Sequence, residues 1–233
     1  MKRHLKRLAA YKSWPVSKKS SKFVVRPLPG GHSFRLGVPI NILVRDMLKQ
    51  VSVAKEVKKI LNQNGIKIDG RIRKNGRFLV GLMDVIVFPS LEEAYRMLIS
   101  PQGKLKAVKI PIENANTKLC KIVGKKYVKK GMLQLNFHDG KNVFVKESNY
   151  SIGDSVVLNL PENVVADHLK LENGMMVYLI GGNYIGRFAS VEDLRHKKII
   201  FKINGELRET LSKFAFVVGK DKPVMNLGEI YNG

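Results

Sequence analysis

Three lysines, Lys55, Lys58 and Lys59, stand at i, i+3 and i+4 in a stretch whose apolar residues recur with helical spacing. A helix there presents all three from one side. Arg71, Arg73, Lys74 and Arg77 follow closely, with Lys67 among them. Upstream the density is higher still. Residues 1–45 hold Lys2, Arg3, Lys6, Arg7, Lys12, Lys18, Lys19, Lys22, Arg26, Arg35 and Arg45 and no acidic residue. Cations grouped this way bind phosphate and release its counterions. His4, Tyr11, Trp14 and Phe23 are interleaved with them, and their rings have two possible uses: stacking on unpaired bases, or packing on a neighbouring domain.

Covalent and acid–base chemistry has no comparable signal. Gly181, Gly182 and Gly186 do not make the dinucleotide fingerprint, because position 183 is Asn. The phosphate-loop pattern ending Gly-Lys-Ser/Thr does not occur. His4, His32, His138, His168 and His196 are separated from one another and from Cys120, so no metal cluster is expected and each reads as a surface or phosphate-contact residue. The expectation is a non-enzyme with no catalytic residues, metal or cofactor.

The whole composition agrees. The 233 residues include 42 Lys and Arg against 19 Asp and Glu, a net charge of +23. Residues 1–35 contribute +10 (ten basic, no acidic), residues 36–100 +5 (eleven against six) and residues 101–233 +8 (twenty-one against thirteen). A chain so basic gathers polyanions. Leu8-Ala9-Ala10 is too short for a secretory apolar run, and Pro15, Pro27 and Pro29 interrupt any amphipathic presequence helix. With a single cysteine, Cys120, no internal disulfide forms, and the cytosol is the expected compartment. No apolar run is long enough for a membrane helix.

The elements that must carry these cations follow from periodicity. Residues 1–37 are poor in large aliphatics and read as an extended basic arm that orders against a polyanion. Pro39 should open a helix with Ile40, Leu43, Val44, Met47 and Leu48 on one face. Ser52 should cap a second helix carrying Val53, Val57, Ile60 and Leu61, ended by Gly65. The period then changes to two. Ile66–Ile68 and Arg71–Arg73 flank Asp69-Gly70, a hairpin with isoleucines expected on one face and Lys67, Arg71 and Arg73 on the other. Phe78 to Phe88 reads as one buried closing strand. Beyond residue 100, short strands punctuated by Gly and Asp predict a central β domain over 101–170 and a second over 171–219, with 220–233 as a loose tail.

Several of these segments resemble known families. Arg45-Asp46-x-Leu48, Ala54, the Lys-rich helix, Gly65 to Arg71 and Val85-Ile86-Val87 resemble the small RNA-binding module named for the fourth protein of the small ribosomal subunit. That resemblance implies that Lys55, Lys58, Lys59, Arg71, Arg73, Lys74 and Arg77 grip structured RNA. Val177–Ile180, Gly181–Arg187 and Phe188–Val191 are similar to the KOW motif, a turn whose glycines let backbone approach a partner. In order along the chain, Lys2–Ala10 with Lys12-Ser13-Trp14-Pro15, Gly81–Val85, Lys118–Ile122, Leu135–Gly140, Leu160–Asn163 and Phe216–Lys220 are similar to the ribosomal protein S4e family of archaea and eukaryotes. The length is closer to its archaeal branch.

The resemblance implies an α+β multidomain chain: a basic extended N-terminal arm (1–37), a small α/β RNA-binding module (38–100), a central β domain (101–170), a KOW-type β barrel (171–219) and a C-terminal tail (220–233). It implies a structural constituent of the small ribosomal subunit, in the cytoplasmic ribosome, that clamps small-subunit ribosomal RNA and sits among neighbouring ribosomal proteins without membrane attachment or homo-oligomerisation. The expected RNA contacts are Lys2, Arg3, His4, Lys6, Arg7, Lys12, Trp14, Lys18, Lys19, Lys22 and Arg26 of the arm, the seven module residues above, and Arg187. The competing reading is a free RNA-handling factor, for ribosome rescue or RNA modification, built on the same module.

Overall fold

The computed structural model describes residues 4–63, 65–128, 131–146, 149–203 and 205–227. It is mostly β-structure with few helices, and its backbone divides into two units. One comprises residues 1–99 and 103–116, the other residues 100–102 and 117–233.

The first unit begins with β1 (His4–Lys6) and β2 (Phe23–Val25), paired antiparallel with Leu5 opposite Val24. The segment between them is folded. Trp14 is 2% exposed and its indole Nε1 donates to the Phe34 carbonyl at 2.9 Å. Ser13 Oγ donates to the Arg35 carbonyl, and the Leu105 amide donates to the Ser13 carbonyl. Ala10, Ser13 and Val24 are also buried. The expectation of an arm ordered only by a polyanion is therefore corrected. One indole and a few small apolar residues suffice, because the rest of the unit supplies the surface they cover.

β3 (Gly37–Pro39) leads into α1 (Ile40–Ile42), with Pro39 as its extended N-cap. The chain then widens into a π-helical turn over Leu43–Met47, closed by the Leu48 amide on the Leu43 carbonyl. The extra residue per turn breaks the 3.6 period, so Ile40, Leu43 and Val44 are buried while Met47 and Leu48 are only half-buried. α2 (Ala54–Gln63) starts one residue beyond the valine expected on its stripe, and Val53 lies exposed. Glu56, rather than Ser52, caps it: its Oε2 accepts from the Ser52 and Val53 amides at 3.1 Å. Val57 and Leu61 face inward, and Gly65, at φ +63°, ends the helix.

β4 (Ile66–Ile68) and β5 (Arg71–Arg73) form the expected hairpin, with Asp69 and Gly70 both at positive φ. Its two faces differ from expectation. A two-residue turn pairs Ile68 with Arg71, Lys67 with Ile72 and Ile66 with Arg73. Directly opposed residues share a face. Ile72 therefore stands beside Lys67 in solvent, 57% exposed, and Arg71 and Arg73 lie on the side of Ile68 and Ile66.

The run from Phe78 to Phe88 is two strands, not one. β6 (Leu79–Gly81) pairs with β3, and β7 (Val85–Phe88) pairs with β4. Between them Met83 adopts φ +65°, and the buried Asp84 accepts from the Gly81 amide (2.7 Å) and meets His32 Nε2 (2.8 Å). β8 (Glu93–Ile99) and β9 (Leu105–Ile110) complete a five-stranded sheet ordered β5-β4-β7-β8-β9. The module's sheet thus runs past residue 100 and takes in a strand expected in the central domain.

The second unit holds two five-stranded antiparallel sheets. The first contains β10 (Thr117–Tyr127), β11 (Leu133–Phe137), β12 (Asn142–Val145), β13 (Ser155–Asn159) and β14 (Val164–Leu169), ordered β12-β11-β10-β13-β14. Cys120, Ile122, Leu133, Leu135, Phe137, Val156 and Leu158 cluster in its core. The second contains β15 (Met176–Leu179), β16 (Phe188–Arg195), β17 (Lys198–Ile203), β18 (Glu206–Leu211) and β19 (Ala215–Gly219), ordered β18-β17-β16-β15-β19. Lys121 joins the two sheets: its Nζ donates to the carbonyls of Ser212, Lys213 and Ala215.

The segment expected as a loose tail is packed as far as it is described. Val224 donates its amide to the Val218 carbonyl, and Met225 and Leu227 are buried at 7% and 2% exposure. Residues 228–233 lie outside the described residues, as does Asn204 of the β17–β18 turn.

Candidate nucleic-acid interface

The site is built on the short elements of the first unit. α2 buries Val57 and Leu61, and this rotation leaves Lys55, Lys58 and Lys59 exposed. The loop after β5 carries Lys74, exposed, and Arg77, half-buried. Lys58 and Lys74 both line a cleft of about 430 Å³, with Asn41, Asn62, Asn75 and Arg77 also in its walls. Arg77 is fixed there by its Nε, which donates to the Arg26 carbonyl at 2.9 Å, and by its amide on Asn75 Oδ1.

Asn41 and Arg77 also line a second cleft of about 420 Å³, with Arg7, Arg26, Arg45 and Phe23. The two recesses share these two residues as a common wall. Asn41 holds its place because Gly76 lacks a side chain: a Cβ there would lie 2.5 Å from Asn41 Oδ1. Arg45 is braced by Asp46, which accepts from its Nε and Nη2 at 3.2 and 2.8 Å. Around the clefts the structure thus gathers Arg7, Arg26, Lys58, Lys74 and Arg77 of the expected contacts.

Others are placed differently. Lys6, Lys12, Lys18, Lys19 and Lys22 are exposed along the N-terminal segment, whereas Lys2 and Arg3 and the His4 side chain lie outside the described residues. Trp14 is corrected from a base-stacking to a core residue, since its ring is enclosed and its N–H is engaged. Arg7 is corrected from an exposed arm cation to a buried one, 6% exposed, with Nη1 donating to the Ser17 carbonyl at 2.9 Å. Arg71 is exposed, and Arg73 lays its guanidinium over Phe78 at 4.3 Å from the ring centre. Lys67 sits on the opposite face of the hairpin, so the module's cations do not form one continuous surface.

In the second unit Arg187 is exposed, following a turn whose glycines serve the chain itself. Gly186, at φ +75°, packs on backbone: a Cβ there would meet the Ser100 carbonyl group at 2.4 Å. Gly181 makes room for the Phe214 ring in the same way.

Three cations are structural. Arg96 is fully buried, and burial pushes its guanidinium down to about 10. Lys118 Nζ is 2.7 Å from Asp139 Oδ2, both side chains enclosed. Burial brings the Lys121 ammonium down to about 8. Three histidines read as surface residues are also engaged: His32 with Asp84, His168 with Asp154 at 2.8 Å, and His138 edge-on to Phe216. The residues missed in sequence are Asn41 and Arg45. Arg45 had a signal in its acid-free basic run, whereas Asn41 is placed only by the fold.

Comparison with known proteins gives a consistent pattern. A family model described as ribosomal family S4e matches residues 91–165, and the RS4NT domain model matches residues 1–35. The small ribosomal subunit protein eS4 of Methanocaldococcus jannaschii is 39% identical over 240 residues, covering 97% of this chain and 98% of its own. That of Methanococcus vannielii is 40% identical with the same coverage, and that of Methanocella arvoryzae 36% identical over 229 residues. Among solved structures, the crystal structure of the 30S ribosomal protein S4e from Thermoplasma acidophilum matches with a TM-score of 0.71 at 26% identity, covering 80% of this chain and 96% of that one.

Proposed function

The chain belongs to the S4e family of small-subunit ribosomal proteins, and from that premise we propose that it clamps small-subunit ribosomal RNA as a structural constituent of the ribosome. One observation carries the clamping: six cations, Arg7, Arg26, Arg45, Lys58, Lys74 and Arg77, converge on two adjoining clefts of the first unit. The mechanism is phosphate neutralisation. Exposed lysines of the N-terminal segment and α2 supply affinity, while the fixed arginines set register. The β15–β19 sheet, with its glycine turn and Arg187, is the KOW-type unit of this reading and offers a separate contact to RNA or a neighbouring ribosomal protein. The protein acts in the cytoplasm, within the ribosome, as a single copy without catalytic chemistry.

The test is retention. Small subunits carrying a tagged copy of the full chain are washed at high salt and sedimented. A structural protein stays with the particle, and a free RNA-handling factor is released. Isolated binding to ribosomal RNA should still weaken by about three to five powers of ten between ~50 and ~200 mM salt if roughly six to ten phosphates are contacted.

A further inference from the structure

We propose that the cleft beside β2 holds one unpaired RNA nucleotide, its phosphate on the arginines and its base against Phe23. This rests on the reading that the chain binds RNA and names the part of the RNA that this cleft selects.

The first observation is a buried cation short of acceptors. Arg7 is 6% exposed, its Nη1 bonds one carbonyl, and its Nε makes no hydrogen bond among the described residues. An enclosed guanidinium donor left unmatched is costly, and an anionic oxygen entering the cleft removes that cost. Arg77 points the same way. Its Nε is engaged with the Arg26 carbonyl, which fixes the plane of the fork and leaves the two terminal nitrogens for a bidentate acceptor.

The second observation is an aromatic ring in the same lining. Phe23 is 48% exposed at the start of β2, with Lys22 Nζ 5.5 Å from its ring centre. An aromatic face beside a set of guanidinium groups is the arrangement that takes a base and its phosphate together. Asn41, held against Gly76, adds a donor and an acceptor to the lining. The volume, about 420 Å³, lies in the range of small-ligand clefts.

Shape decides what kind of RNA enters. An A-form duplex keeps its bases stacked inside the helix and presents only backbone, so it cannot lay a base on Phe23. A bulged or looped nucleotide can. The adjoining cleft, which shares Asn41 and Arg77, would then receive the flanking phosphate on Lys58 and Lys74.

The experiment measures binding of the full chain to two RNA hairpins, identical except that one carries a single unpaired adenosine. Wild type should prefer the bulged hairpin by between about fivefold and about a hundredfold, the range expected for stacking one base. Phe23→Leu, at an exposed position, should cut that preference below about twofold and leave binding to the paired hairpin unchanged. Arg77→Lys, which keeps the charge and loses the fork, should weaken the bulged hairpin more than the paired one, so that the preference between them shrinks. Equal wild-type affinity for both hairpins, or a preference that survives Phe23→Leu, overturns the proposal while leaving RNA binding intact. Failure of wild type to bind either hairpin overturns the RNA reading itself and this proposal with it.

Discussion

Trp14 is the only tryptophan in the chain, and its burial predicts both a stability effect and a spectroscopic one. The ring is 2% exposed, lies 5.8 Å from Tyr11 centre to centre, and bonds the Phe34 carbonyl through its N–H. Trp14→Ala removes a large enclosed side chain and leaves that carbonyl without its donor. Core truncations of this size cost about 3–5 kcal/mol. With a urea dependence of about 2 kcal/mol per molar, the unfolding midpoint of the first unit should fall by roughly 2 M. The same residue reports on itself: wild-type emission should be blue-shifted, resist acrylamide quenching, and stay unchanged when RNA is added. The variant, measured where it is still folded, should bind RNA as wild type does. Red-shifted, readily quenched emission that RNA protects would refute the packing argument and restore Trp14 as a stacking residue.

Other consequences follow from single interactions. Burial brings the Lys121 ammonium from its ordinary 10.5 down to about 8. Between these values the unfolded chain binds a proton that the folded chain does not. Stability should therefore rise with pH over that window, by up to about 3 kcal/mol, and Lys121→Met should flatten the rise in a pH series of denaturant unfolding. Gly186→Ala drives a methyl into the Ser100 carbonyl at a left-handed φ, and a loss of about 2 kcal/mol or more should appear in thermal or urea melts. Leu227→Ala should cost about 2–3 kcal/mol by the same assay, where a loose tail would cost under about 0.5.

Local rules were enough wherever the signal was local. Asp69-Gly70 turns as its dipeptide requires, and the alternation of Leu133, Leu135 and Phe137 along one strand places all three in the core. The lysines of α2 face solvent because Val57 and Leu61 face inward. Where distant residues decide, periodicity is silent. The 78–88 run splits because Asp84 is held by Gly81 and by His32, which is 52 residues away. The N-terminal segment folds because Ser13 and Trp14 bond Arg35 and Phe34, and Leu105 bonds back to Ser13. Composition alone makes that segment look unable to order itself. The clefts are equally hidden, since Arg7, Arg26, Asn41, Arg45 and Arg77 are spread over seventy residues and meet only in the fold. The hairpin's faces depart from expectation for a simpler reason: a two-residue turn sets which positions oppose, and that register places Ile72 beside Lys67.

The central claim, that the clefts and the α2 lysines grip ribosomal RNA through phosphate, is tested most directly by the salt dependence of binding. Wild type and a variant with Lys55, Lys58, Lys59 and Lys74 each changed to Gln are compared on a small-subunit ribosomal RNA fragment across ionic strength. The slope of log K against log salt should flatten by about 0.7–0.9 for each phosphate that is no longer neutralised, close to three for the four changes together. Parallel lines for the two proteins would place the grip elsewhere and contradict the account.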